Sequence, residues 1–78
     1  MNKNERPAYE YMVMNPLIQE GMEPAYEWYS QNSIDLTFPN EEEYIEGLRV
    51  LSSIRDRSVI GVFGYPRTYQ VMIQFTKI

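Results

Sequence analysis

The chain lacks two residue types on which most site chemistry depends, because its 78 residues include no cysteine and no histidine. Their absence excludes disulfides, makes zinc and copper sites unexpected, and removes the usual general base. The two lysines, Lys3 and Lys77, lie near the chain ends, where a buried and activated amine is not expected. We therefore expect no catalytic residue, no metal site and no cofactor, and so no enzyme.

Long apolar runs are also missing. No stretch approaches the roughly 20 residues that a membrane-spanning helix needs, and no basic start followed by an apolar run indicates a signal peptide. Small secreted domains usually depend on disulfides, which this chain cannot form. The sequence therefore predicts a cytoplasmic protein with no membrane partner.

Positive charge is absent from the middle of the chain. Between Pro7 and Leu48 there are nine carboxylates and no basic residue, whereas the last 30 residues contain five basic residues and one acid. The net charge of −4 therefore conceals a strongly polarised molecule. Such a block predicts a surface that meets a larger protein with a basic surface, and it disfavours direct binding of nucleic acid.

What is present indicates a folded chain. Apolar residues make up 44% of the sequence and aromatic residues 14%, a content that disordered segments do not reach. A chain of this length forms one small domain, and we expect it to cover residues 1–78.

The C-terminal two-thirds predict a β-α-β-β core of the α+β class. Alternation predicts a strand at 33–38, an apolar stripe with a start signal at Asn40 predicts a helix at 40–55, and two β runs around a Gly-Tyr-Pro-Arg turn predict a hairpin at 58–77. The first strand and the first strand of the hairpin are expected to run parallel, joined by the helix. Gly47, inside the predicted helix, indicates close approach of the helix to the sheet.

The first 32 residues predict a mixed or short-helical segment. Residues 9–14 fit a strand or a helix that begins at Pro7. Asn15-Pro16 predicts the start of a short helix through Met22, and Glu23-Pro24 predicts another to about Gln31.

Six tyrosine and tryptophan rings lie within the acidic block, more than so small a core is expected to bury. Tyrosine and tryptophan are enriched at interface hot spots, and their faces attract cations. We therefore expect an acidic, aromatic surface that binds a partner protein. The residues expected to contact it are Glu10, Glu20, Glu23, Tyr26, Glu27, Trp28, Tyr29, Glu41, Glu42 and Glu46.

In size, charge and missing catalytic residues the chain resembles the small acidic inhibitors that phages and mobile elements encode against host nucleases, CRISPR complexes or RNA polymerase. The resemblance is one of profile, includes no motif and indicates no family. It implies an inhibitor that covers a basic, nucleic-acid-binding surface, with carboxylates where phosphates would lie. This hypothesis requires the acidic residues to share one face.

Two alternatives stay open. In the first alternative, the chain is a structural or regulatory subunit. It then forms a homodimer or pairs with another protein through the edge of its C-terminal hairpin, Thr68 to Ile78. A basic and aromatic patch for single-stranded nucleic acid is a weaker interpretation, because its arginines also fit local pairing such as Glu46 with Arg49.

Overall fold

The computed structural model describes residues 5–76, which form two helices and one four-stranded antiparallel sheet. The predicted α+β class is confirmed. In chain order the elements are α1 (Arg6–Gln19), β1 (Ala25–Ser30), β2 (Ser33–Thr37), α2 (Glu41–Ser52), β3 (Val59–Tyr65) and β4 (Gln70–Phe75).

The strands lie in the order β1-β2-β4-β3, and every neighbouring pair is antiparallel. β2 and β3 therefore run in the same direction, as predicted, with β4 inserted between them. The β3–β4 hairpin is confirmed within the described residues; residues 77 and 78 lie outside them. The expected free edge at Thr68 to Ile78 is wrong over β4, because β4 is paired on both sides and the sheet edges are β1 and β3.

Helix α2 begins where predicted and ends three residues earlier than expected. The Asn40 side chain accepts a hydrogen bond from the Glu43 amide at 2.9 Å, which satisfies a donor that the first turn leaves free. Gly47 is buried against the Phe38 ring, and a Cβ at this position would overlap that ring. The close approach inferred from Gly47 is therefore present, with Phe38 at the end of β2 as the contact.

Of the two alternatives for residues 9–14, the helix that begins at Pro7 is confirmed to within one residue, whereas the predicted helix start at Asn15-Pro16 is wrong. One 14-residue helix, α1, runs through Pro16 instead of beginning there. Tyr9, Val13 and Leu17 recur at a spacing of four and face the core, so packing outweighs the backbone hydrogen bond that Pro16 removes. The helix ends at Gln19, and the positive φ of 80° at Gly21 turns the chain so that the Met22 amide donates to the Leu17 carbonyl.

The second predicted helix, from Pro24 to about Gln31, is a strand instead. β1 pairs with β2 through a turn at Gln31 and Asn32, with Trp28 opposite Ile34 and Tyr26 opposite Leu36. Aromatic residues favour strands, and pairing with the buried β2 outweighs the helix-start signal of Glu23-Pro24.

Both helices pack on one face of the sheet. The fully buried residues come from α1, α2, alternate positions of the two central strands and the residue that follows β2: Val13, Leu17, Leu51, Ile34, Leu36, Val71, Ile73, Phe75 and Phe38. Tyr44 of α2 also belongs to this core. Neither described helix combines the length and apolar character that a membrane span requires.

Candidate protein-interaction surface

The other face of the sheet is not covered by any element within residues 5–76. Because alternate residues of a strand point to opposite faces, the register assigns its members strand by strand. We refer to this surface as the open face. The register assigns to it Ala25, Glu27, Ser30, Ser33, Asp35, Thr37, Gly61, Phe63, Tyr65, Gln70, Met72 and Gln74, and Tyr29, which has no register partner, lies in one groove with Ser33 and Phe63 on the same face.

A shallow groove of about 420 Å³ runs across the open face. Its apolar lining consists of Tyr29, Phe63, Tyr65 and Met72, and its polar lining includes Ser33 and Gln74. Tyr29 is 72% exposed, and Phe63 and Tyr65 are each 46% exposed. Rings this exposed contribute little to the core, so they are available to bury area against a partner.

The position of Tyr29 follows from the β1–β2 connection. A register shift between Trp28 and Ser30 places Tyr29 at a bulge, and bulges re-aim side chains. The turn after Tyr29 is fixed by two hydrogen bonds between Asn32 and Phe75. The side-chain amide of Asn32 donates to the backbone carbonyl of Phe75 at 2.8 Å, and the backbone carbonyl of Asn32 accepts from the backbone amide of Phe75 at 2.7 Å. This end of the groove is therefore held by the central strand.

The opposite wall of the groove depends on two glycines in β3. The Phe63 ring lies over Gly61, in space that a Cβ there would occupy. On the helix side, Gly64 lets the strand approach the Tyr44 hydroxyl and Leu48 closely. Glycine at these two positions places β3 against α2 and lays the Phe63 ring along the open face.

Two carboxylates lie directly opposite each other on this face. Glu27 on β1 is the register partner of Asp35 on β2, and Gln70 donates to Asp35 Oδ2 at 2.8 Å. Burial raises the pKa of Asp35; the hydrogen bond from Gln70 opposes that rise and the charge of Glu27 adds to it. Like charges directly opposite each other on neighbouring strands are destabilising, so a nearby cation would reduce the repulsion between Glu27 and Asp35.

None of the open-face residues is basic. Asp35 is also the register partner of Met72, so the acidic pair borders the apolar groove. The surface therefore combines large exposed apolar groups with uncompensated negative charge, which fits lysine or arginine side chains and repels phosphates.

Three of the predicted partner-binding residues are joined to one another by side-chain hydrogen bonds between α1 and β1. Glu10 on α1 accepts hydrogen bonds from Trp28 Nε1 at 2.7 Å and from the Tyr26 hydroxyl at 3.1 Å. The Arg6 guanidinium lies 5.0 Å from the Trp28 ring, which also packs against Phe75. The hydrogen bond and the charge of Glu10, together with desolvation, raise the pKa of Tyr26. These contacts fasten α1 to the edge strand β1.

The remaining predicted acids lie apart from the open face. Glu41 and Glu42 occupy the first turn of α2, where they complement the helix dipole. Glu46 forms the predicted salt bridge with Arg49. Glu20 lines a separate groove, together with Arg49, between the C-terminal ends of the two helices. Glu23 is exposed in the segment between α1 and β1. The structure thus divides the ten predicted residues, and only Glu27 and Tyr29 lie on the open face.

Sequence reasoning missed Asp35, Phe63, Tyr65 and Met72 as members of one surface. The alternation within β4 puts Met72 on the face away from the core, and the alternation within β2 does the same for Asp35. The alternation of residues along the sequence does not reveal the strand order, which places β1 and β2 on one side of β4 and β3 on the other. Phe63 ends a continuous apolar run whose alternation is broken by the bulge at Val59–Gly61.

Within the described part of the chain, no group of three or more acidic side chains is arranged to hold a metal ion. Comparisons with models of protein families, with curated proteins and with solved structures found no match to this chain.

Proposed function

We propose that this chain is a non-enzymatic protein-binding module that binds through the open face of its sheet. The partner presents lysine or arginine side chains next to an apolar segment. The single observation that carries the proposal is the juxtaposition on one uncovered face of the aromatic groove and the Glu27–Asp35 pair, without a basic residue. A cytoplasmic setting belongs to the proposal and suits a chain without cysteine.

The two halves of the surface have different tasks in this proposal. The groove supplies apolar contact area, since Tyr29, Phe63 and Tyr65 lose exposed surface when a partner covers them. The acidic pair supplies orientation and charge selection, since a partner cation would relieve the repulsion between Glu27 and Asp35. Binding is therefore expected to weaken with added salt and to retain an apolar, salt-resistant component.

Aromatic rings on a sheet also serve proteins that bind single-stranded nucleic acid, where bases stack on the rings and cations hold the phosphates. The open face carries the rings without the cations, and its acids would repel a phosphate chain. A protein partner is therefore favoured over nucleic acid.

The finer hypothesis is a phage-type inhibitor that covers the basic groove of a nucleic-acid-handling protein. In such an inhibitor, carboxylates lie where phosphates would bind. Glu27 and Asp35 would have to supply these carboxylates, because the acids of α2 lie elsewhere on the fold. Identification of the partner decides this version, and the coarser function does not depend on it.

The experiment that tests the proposal is site-specific photo-crosslinking in cells of the native source. A photoreactive phenylalanine replaces Tyr29 in one variant and Tyr11 in the other; these tyrosines are matched in exposure, at 72% and 68%, but Tyr11 lies on α1. We expect a discrete cross-linked protein from position 29 alone, and that protein, once purified, should lose affinity for the Glu27→Lys variant. Equal cross-linking from both positions, or from position 11 alone, would contradict the proposal.

A further inference from the structure

The edge strand β3 presents unpaired backbone groups at known positions. The Phe38 amide donates to the Tyr69 carbonyl and the Phe75 amide to the Asn32 carbonyl, so the odd-numbered residues of β4 bond toward β2. The even-numbered residues of β4 then bond toward β3, through the pairs that include Phe63 with Met72. The N–H and C=O groups of Val62 and Gly64 therefore point away from the sheet.

This edge carries none of the side chains that usually prevent strands from pairing. Between Val59 and Tyr65 there is no charged residue and no proline, while Ile60, Phe63 and Tyr65 are exposed. Natural sheets protect their edges with charges, prolines or bulges. The one such device here, the bulge at Val59–Gly61, lies at the start of the strand and leaves the rest free.

The opposite edge of the sheet differs in charge. β1 has Glu27 in its middle, opposite Asp35, so two copies meeting at that edge would bring four carboxylates together. The whole chain carries a net charge of −4, which also opposes self-association. β3 is therefore the edge at which two copies can meet without placing these acids side by side.

We propose that two copies of this chain pair through β3 as a symmetric antiparallel dimer centred on Phe63. In this register Val62 bonds the partner's Gly64, and Gly64 bonds the partner's Val62, which uses all the outward groups that the bulge leaves available. Phe63 then lies opposite the partner's Phe63, on the open face. The result is one eight-stranded sheet with both open faces on the same side, and the inference does not depend on the proposed function.

The symmetry of this register gives a test by charge pairing. Phe63→Lys and Phe63→Glu each place two like charges across the two-fold axis, so each should raise the dimer dissociation constant by about tenfold or more. An equimolar mixture of the two variants should dimerise again, as a heterodimer. Sedimentation equilibrium gives the association constants, and native mass spectrometry identifies the mixed species.

The matched control is Ile45→Lys, which places the same charge on an exposed apolar position of α2. It should leave the dimer unchanged. In the wild-type protein, hydrogen exchange of the Val62 and Gly64 amides should slow as concentration rises. A wild-type protein that stays monomeric at millimolar concentration, a mixture that fails to restore association, or an equal loss from Ile45→Lys would overturn the proposal.

Discussion

Glu10 joins the first helix to the first strand through both of its carboxylate oxygens. One oxygen accepts from the Trp28 ring nitrogen and the other from the Tyr26 hydroxyl, across sequence separations of 18 and 16 residues. Hydrogen bonds to a charged group are stronger than neutral ones, and the loss of one partner leaves the other unsatisfied. This single side chain therefore stabilises the contact between α1 and β1.

We predict that Glu10→Ala lowers the free energy of unfolding by about 1–3 kcal/mol, because two donors lose their acceptor. Urea unfolding followed by tryptophan fluorescence measures the change. The pKa of Tyr26 should fall at the same time, since Glu10 is the main cause of its rise. Glu23→Ala, at an exposed acid outside the helices and strands, is the control; an equal loss from it would contradict the assigned role.

Asp35 and Asp56 should show opposite dependences of stability on pH. Burial raises the pKa of Asp35, so ionisation of this carboxyl lowers the stability of the folded protein. This cost is absent below the pKa of the unfolded chain, near 3.8, and grows as the pH rises through the pKa of the folded protein. Hydrogen bonds from the Ser58 hydroxyl and amide lower the pKa of Asp56. The stability that Asp56 contributes is therefore present above 3.8 and is lost as pH falls through the folded value.

We therefore predict that Asp35→Asn raises the free energy of unfolding at pH 7 and that Asp56→Asn lowers it. Both effects should shrink toward pH 3, because the wild-type carboxyls are then largely protonated in the unfolded chain. Urea unfolding of each variant at the two pH values makes the comparison. Effects that are the same size at pH 3 and pH 7 would show that the substitutions act through packing instead.

At the scale of the elements, the sequence predicted those that carry their own signals. α2 has a cap at Asn40, and β4 has clean alternation, so both were located within a few residues. α1 and β1 could not be read in the same way, because Pro16 and Pro24 suggested helix starts that tertiary packing overrides. The order of the strands has no local signal, and the open face depends on that order.

The contact between Gly47 of α2 and Phe38, the residue after β2, tests whether packing or helix propensity determines the residue at position 47. Alanine at an exposed helix position would gain roughly 1 kcal/mol over glycine, but at Gly47 it would meet the buried Phe38 ring. We predict that Gly47→Ala is destabilising by about 1–3 kcal/mol, the usual cost of overpacking.

The matched measurement is a double-mutant cycle with Phe38→Leu, which removes the ring from the contact. Alanine at position 47 should cost less in that background, and thermal or urea unfolding gives the four free energies. Equal costs of Gly47→Ala in the two backgrounds would show that Phe38 is not the reason for glycine here.

At the scale of the whole molecule, the two faces of one sheet have separate roles. The helix-covered face buries the core and holds most of the fold together, whereas the open face presents Tyr29, Phe63 and Tyr65 beside the Glu27–Asp35 pair. Composition and charge predicted an acidic and aromatic binding surface. They placed it mainly on Tyr26, Trp28 and the helix acids, since the number of carboxylates in a segment does not reveal which of them share a face.

The most direct test of the binding account is an amide footprint of the 15N-labelled protein with the protein that cross-links at position 29. The account predicts shifts or protection at open-face positions such as Asp35, Met72 and Gln74, and unchanged signals at Ile45 and Arg49 on α2. A footprint confined to α1 and α2, with the open face unchanged, would contradict it.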